Sequence, residues 1–204
     1  MHLFDQRILG WLIVVLLAAL VVVKRRATGS LLERPAGGPL EWLVNLFNLA
    51  FLLVVNPLAA VLLIARRLEA LDPTHVSIGP PWLVTLLEVA GLAIYAIGCL
   101  LMAWALQVLG RNYQLGGSAP RATDRLVATG PYAAVRHPMY TAALAIALGL
   151  ACLVQSGAVA VAFGIYLALI LLLIPREEAG LRQAYGAAYD GYRRRTKKLI
   201  ALVF

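Results

Sequence analysis

From Tyr140 to Ile174 the chain runs for 35 residues with hardly a polar side chain, interrupted only around Gln155-Ser156-Gly157. A single helix of that length would measure about 52 Å at 1.5 Å per residue, well beyond the roughly 30 Å hydrocarbon core of a bilayer. The stretch therefore predicts two shorter helices paired as a hairpin. Three more apolar runs precede it. Ile8 to Val23 is unbroken and ends on Lys24-Arg25-Arg26. Asp5 and a lone Arg7 make a poor basic lead for a signal peptide, and the charges that follow are wrong for a cleavage site, so this run is read as a retained span. Leu43 to Ile64 is a second span, interrupted by Asn45, Asn48 and Asn56-Pro57 and stopped by Arg66-Arg67; its proline implies a kink and its amides should face other helices. Trp82 to Leu109 follows the breaker Gly79-Pro80-Pro81 and forms a third span, with Glu88 in its first two turns, either snorkelling or paired.

Composition agrees. With 62% of residues hydrophobic and 14% charged, the chain departs from a soluble domain, where close to half are apolar and about a quarter charged. A fold of this size still exposes about a third of its unfolded surface, so the excess cannot be hidden from water. Disordered chains, disulfide scaffolds, nucleic-acid modules and soluble two-domain enzymes are disfavoured together. The expected fold class is all-α, a polytopic membrane helix bundle of about five transmembrane helices with a cytoplasmic C-terminal amphipathic helix. Cys99 and Cys152 lie inside apolar runs and read as buried free thiols; His2, His75 and His137 are too scattered to suggest a metal site.

The net charge of +8 must be concentrated somewhere in so apolar a chain. Five spans put the termini on opposite sides of the membrane. With the C-terminus inside, 15 of the 18 lysines and arginines fall on the inner side: Lys24, Arg25, Arg26 and Arg34; Arg111, Arg121, Arg125 and Arg136; and Arg176, Arg182, Arg193, Arg194, Arg195, Lys197 and Lys198. Only Arg7, Arg66 and Arg67 are outside, an asymmetry that follows the positive-inside rule. Near the C-terminus Leu181, Tyr185, Ala188, Tyr189 and Tyr192 recur on one helical face, a stripe read as packing. The basic run Arg193 to Lys198 reads as an anchor to anionic headgroups, at about 1 kcal/mol per residue near the surface.

Two polar constellations flank the hairpin. One runs from Asp124 to Tyr140 and leads directly into the fourth span; Pro138 suits a first helical position, which leaves His137 as the cap with Arg136 beside it. Unpaired N–H groups and the positive end of a helix dipole there favour an anion. The other is Pro175-Arg176-Glu177-Glu178, where the fifth span leaves the membrane. The hairpin folds both to the same end. An anion-binding helix start facing two carboxylates suits a zwitterionic ligand, and Tyr132 and Tyr140 with an apolar wall can hold a flat ring. S-adenosylmethionine has those parts, although the residues do not single it out.

The pattern Leu126-Val127-x-x-Gly130-Pro131-Tyr132-x-x-Val135-Arg136-His137-Pro138-x-Tyr140, followed by Glu177-Glu178-x-x-Leu181-x-x-x-Tyr185-Gly186-x-x-Tyr189-x-x-Tyr192, closely resembles the isoprenylcysteine carboxyl methyltransferase family and the related phospholipid methyltransferases. The resemblance covers roughly residues 82–198. It implies a small membrane methyltransferase without a Rossmann domain, with residues 1–81 as two N-terminal transmembrane helices and their loops, and 82–204 as the methyltransferase core. It further implies that S-adenosylmethionine is held by Asp124, Arg125, Leu126, Val127, Tyr132, His137, Pro138, Met139, Tyr140 and Glu177. The acceptor is then a lipophilic molecule reached through the membrane, first of all a prenylcysteine-like carboxylate, otherwise a phospholipid or a small thiol; membrane lipids are the expected partners and nucleic acid is not. One departure stands out. Family members commonly carry an arginine four residues before the first glutamate, placed to meet the substrate carboxylate, and this chain has Leu173. Arg176 is the possible replacement, with Glu178 a second possible substrate contact, and Glu178 or Glu88 a possible proton acceptor for an amine substrate. Some sterol reductases carry a similar His-Pro-x-Tyr and tyrosine-rich region, but no nicotinamide fingerprint is evident. A non-enzymatic membrane protein would leave the polar constellation idle.

Overall fold

Helix α1 (Gln6–Thr28) starts where the Asp5 carboxylate accepts the Arg7 amide at 2.8 Å, and it stops at Gly29, whose φ of +79° suits a residue without a side chain. The computed structural model describes residues 3–30, 37–114, 120–121 and 123–200; the expectations for His2 and Arg34 lie outside the described residues. Helix α2 (Pro39–Ala50) passes through a π-helical turn (Phe51–Val55) into α3 (Asn56–Ile64). The cause is local. Pro57 has no N–H to donate, so the ladder widens by one residue, and Phe51 O accepts both the Asn56 amide and Asn56 Nδ2, the latter at 2.8 Å. After the single turn α4 (Leu68–Leu71) come α5 (Pro81–Leu109), α6 (Pro138–Val154), α7 (Gly157–Tyr185) and α8 (Ala187–Arg195).

Among the described residues there is no strand, and the chain is an all-helical membrane bundle. Four helices among the described residues are long and apolar enough to cross a bilayer: α1, the joined α2–α3, α5 and α7. The fifth expected crossing, α6, has 17 residues and measures about 26 Å. Its hairpin with α7 turns at Gln155, in the left-handed region at φ +49°, and at Ser156, whose side chain caps α7. The loop after α4 seals this turn, with the Val76 amide donating to Gln155 O at 2.8 Å and the Gly157 amide to Thr74 O at 2.8 Å.

Two expectations are corrected at the far end of α7. The helix does not stop at Ile174 but runs through Pro175 to Tyr185. Proline forfeits only its own N–H bond, and the next turn is held by side-chain bonds from Tyr140 to Glu177 and from Arg136 to Glu178. The tyrosine stripe is accordingly split between two helices. Gly186, at φ +54°, separates Leu181 and Tyr185 on α7 from Tyr189 and Tyr192 on α8, and both of the latter are buried. Arg182 and Asp190, 3.1 Å apart, clamp the bend.

Glycines set the closest helix contact. A Cβ on Gly149 of α6 would lie 2.6 Å from Tyr95 N on α5, one on Gly91 would lie 3.0 Å from Gly149 O, and one on Gly98 would lie 2.9 Å from Ile146 N. These are backbone atoms, so no side chain can swing aside. Polar pairs tie the remaining helices: Tyr95 donates to Asn56 Oδ1 at 2.9 Å, and Tyr166 donates to Asn48. Glu88, 1% exposed, accepts the Leu3 amide at 2.8 Å and the Phe4 amide at 3.3 Å. It belongs to the N-terminal end of α5, remote from the polar constellations, which removes it as a proton acceptor there. Replacing Gly149 by Ala should lower thermal stability in detergent by about 1–3 kcal/mol, the cost of overpacking, whereas Gly164→Ala, with open space around it, should be neutral or slightly stabilising.

Candidate functional site

The segment between α5 and α6 is built from inside. Asp124 accepts the Arg121 amide at 2.9 Å, Arg121 Nε at 3.1 Å and Gln114 Nε2, so its carboxylate folds the loop back on its own start. Burial pushes the Asp124 carboxyl up, but these bonds win and hold it below the ordinary aspartate range. Gly130, at φ +58°, turns the chain against α5, where a Cβ would meet Val108 at 2.8 Å. Pro131 then starts a 3-10 turn (Gly130–Ala133) that buries Tyr132. Tyr192 of α8 donates to the Tyr132 carbonyl at 2.7 Å.

Residues 134–137 are held by the C-terminal tail. The Arg136 and His137 amides donate to Lys197 O at 2.8 Å and Lys198 O at 3.1 Å, and the Lys197 amide donates to Ala134 O at 3.2 Å. Thr141 Oγ1 adds a bond to Leu199 O at 2.6 Å. Arg136 therefore points inward, with its Nε 2.8 Å from Glu178 Oε1 and a second nitrogen donating to Thr196 O. The side chains of Arg136 and Glu178 are 5% and 9% exposed, a buried pair. His137 Nε2 approaches the same Glu178 oxygen at 3.4 Å, while its Nδ1 lies 3.9 Å from Glu177. Tyr140 donates to Glu177 Oε2 at 2.6 Å, and its ring stacks on that of His137 with centroids 5.6 Å apart. The two polar constellations thus meet across the start of α6 and the last turns of α7.

Beside this junction lies a cavity of about 570 Å³, within the range of small-molecule sites. Asp124, Arg125, Leu126, Val127, Tyr132, His137, Pro138, Met139, Tyr140 and Glu177 all line it. Two of its hydroxyls, on Tyr132 and Tyr189, are buried without a hydrogen-bond partner. Burial pushes both phenols above the ordinary tyrosine range, so both remain neutral. At the start of α6 the Met139 and Tyr140 amides have no partner within the helix. Neutral donors, a carboxylate at Glu177 and stacked rings make a donor set that fits S-adenosylmethionine. The other end of the cavity is apolar, lined by Leu17, Leu20 and Val21 of α1 and by Leu49, Leu52 and Leu53 next to Asn45 and Asn48. Val21, Leu49 and Leu53 are 40%, 42% and 53% exposed, so this end reaches the outer surface of the bundle between α1 and α2.

The remaining candidates fall elsewhere. Arg176 is exposed and not part of the lining, and Leu173 is 0% exposed. Glu178 is spent on Arg136. Neither Arg176 nor Glu178 lines the cavity, because one points away from it and the other is paired with Arg136. Among the described residues, the cations that line the cavity are Lys24, Arg125 and Arg136. Lys24 sits 5.1 Å over the Tyr113 ring. Sequence reading assigned Lys24 to membrane orientation and Tyr189 and Tyr192 to packing; the tyrosine spacing already placed the latter pair on the face that lines the cavity. The tail at Thr196–Leu199 had no such signal, since it contributes backbone rather than side chains.

A family model described as phospholipid methyltransferase matches residues 86–188. No curated protein matches the chain. Among solved structures, a eukaryotic intramembrane Ras methyltransferase, an isoprenylcysteine carboxyl methyltransferase, is similar in fold with a TM-score of 0.52 at 20% identity, over 80% of this chain and 74% of that one.

Breaking the buried pair from one side should be costly. Arg136→Met is expected to destabilise the protein by about 3 kcal/mol, since it leaves buried Glu178 with only the more distant His137 at 3.4 Å and Arg193 at 3.8 Å, whereas the double variant Arg136→Met with Glu178→Leu should regain much of the loss. Thermal unfolding in one detergent across the four members of the cycle measures this. Additive losses would mean that the pair carries no coupling.

Proposed function

The chain belongs to the phospholipid methyltransferase family, and from that premise we propose that it transfers a methyl group from S-adenosylmethionine to a lipophilic acceptor that enters from the membrane. The observation that carries the reading is the two-ended cavity: Glu177, His137 and two unpartnered tyrosine hydroxyls at one end, and an apolar opening between α1 and α2 at the other. The donor supplies an electrophilic methyl group on sulfur. Tyr132 and Tyr189 offer neutral hydrogen bonds to its polar parts, Glu177 faces its positive charge, and His137 and Tyr140 present a ring surface. The protein's share of the acceleration is alignment of the two reactants and exclusion of water. Residues 82–204 are proposed as the transferase core, with 1–81 closing its membrane side and the site facing the cytoplasm, where the positive-inside count puts it.

An acceptor that arrives already ionised, a carboxylate or a thiolate, suits the site best. Glu178 is neutralised by Arg136, Glu88 lies near the other end of α5, and Glu177 already accepts the Tyr140 hydroxyl. For a prenylcysteine-like carboxylate the counter-ions are Lys24 and Arg125, in place of an arginine at position 173. A phospholipid amine is the second reading, favoured by the description of the matching family; Glu177 is then the one lining glutamate left to take the proton.

Calorimetry with S-adenosylhomocysteine in detergent tests the proposal. Binding is expected, weakened about 3–10-fold by Tyr132→Phe and about 10–100-fold by Glu177→Gln, as for neutral and charged hydrogen bonds respectively. Folded protein that does not bind overturns the reading. Labelled donor with a prenylcysteine, a phosphatidylethanolamine and a small thiol then separates the acceptors: methylation of the amine alone would overturn the preference for an ionised one.

A further inference from the structure

The C-terminal tail has two sides, and they do different things. Its backbone faces the site, where Thr196, Lys197 and Lys198 supply the carbonyls that hold the Arg136 side chain and the Arg136 and His137 amides. Thr196 and Leu199 are buried beneath it. Its charged side chains turn the other way: Arg194, Arg195 and Lys197 are all exposed. The acids nearby do not offset them, since Asp124 is bound by Arg121, Asp190 by Arg182 and Glu178 by Arg136. Arg25 and Arg26, exposed at the end of α1, stand at the same end of the bundle, because Lys24 meets Tyr113 just beyond α5. The result, among the described residues, is a basic face where the apolar helices end, on the very segment that fixes the register of His137.

We propose that Arg194, Arg195 and Lys197 dock on an anionic lipid surface, and that this docking holds the tail against residues 134–137 and so stabilises the donor end of the cavity. The link to the donor rests on the function proposed above; the docking itself does not. Charge complementarity selects the partner: three cations on a short stretch beside membrane-crossing helices match acidic headgroups and fall within their surface potential. Coupling follows from geometry. A tail released from the bundle takes with it the acceptors of the Arg136 and His137 amides, whereas a lipid surface that binds only the docked tail shifts the population toward it.

The test compares nanodiscs of phosphatidylcholine alone with nanodiscs containing about 30% phosphatidylglycerol, at low and high salt. Hydrogen exchange of the Arg136 and His137 amides should slow about fivefold or more in the anionic discs, a size typical of coupled sites, and the effect should fade at high salt. The triple variant Arg194→Gln, Arg195→Gln, Lys197→Gln should exchange alike in both lipids and match the parent in phosphatidylcholine. Glycerol phosphate added to phosphatidylcholine discs should change nothing; protection by it would mean that a soluble anion is the ligand and overturn the membrane proposal. Equal exchange of the parent in the two lipids overturns it as well. S-adenosylhomocysteine affinity is read in parallel and should tighten with the protection. If exchange responds to lipid and S-adenosylhomocysteine binds in neither disc, the docking stands and the donor reading falls. If it binds equally well in both discs despite the protection, the coupling to the donor end is overturned.

Discussion

Glu178 sits at the end of a membrane bundle where neither water nor hydrocarbon can stabilise its charge, and Arg136 reaches it at 2.8 Å. A carboxylate and a guanidinium buried this way hold a structure in register because either one alone is so unfavourable. Here the partners come from distant parts of the chain. Glu178 belongs to the last turns of α7 and Arg136 to the loop before α6, while Nη1 of the guanidinium donates to the carbonyls of Arg193 at the end of α8 and Thr196 of the tail. One pair therefore fixes three segments, and the neighbours of Arg136 and Glu178, His137 and Glu177, become wall residues of the cavity as a consequence.

That junction needs the helices beneath it to be close and antiparallel, and small residues make them so. Gly149 against Tyr95 and Gly98 against Ile146 bring α5 and α6 to backbone contact, and the tight turn at Gln155–Ser156 returns α7 alongside α6. On the opposite flank Gly10 of α1 approaches the Ala60 carbonyl of α3 as closely, while α2 is reached through longer side chains. Asn48 and Asn56 on α2–α3 reach Tyr166 and Tyr95, leaving space between α2 and the rest that the apolar end of the cavity occupies. The polar chemistry thus sits over the glycine-packed pair α5–α6, and the apolar end of the cavity sits beside α2.

Much of this was legible in the residues, and the limits follow from what sequence patterns report. The apolar length of 140–174 forced a hairpin, its one polar interruption located the turn, and the turn brought the two polar constellations together. Pro138 and Gly130 marked real changes of backbone direction. Pro175 did not, because a proline costs a helix one bond and side chains in the following turn compensated. Glu178 was indistinguishable from Glu177 by type, yet a rotation of about 100° between adjacent helical residues sends one to Arg136 and the other to the cavity. The same rotation carries Arg176 outward. The tail shows only its charge in the sequence, because its contribution, the carbonyls of residues 196–199 and the Lys197 amide, is backbone and the same for any residue.

Leu173 bears on the acceptor for the same geometric reason. It is 0% exposed and packed in the core between helices, so the position four residues before Glu177 does not face an open site in this chain, and a cation there would need to be buried. An anionic acceptor must then be neutralised from the opposite wall, where Lys24 of α1 and Arg125 of the loop line the cavity. Lys24 lies one turn beyond Leu20 and Val21, which line the apolar end, so under the proposed function an acceptor entering between α1 and α2 would meet that ammonium as its polar end approached Glu177 and Tyr140. The first helix lies outside the residues 86–188 that the family model matches, and under the proposed function it is the element placed to select the acceptor.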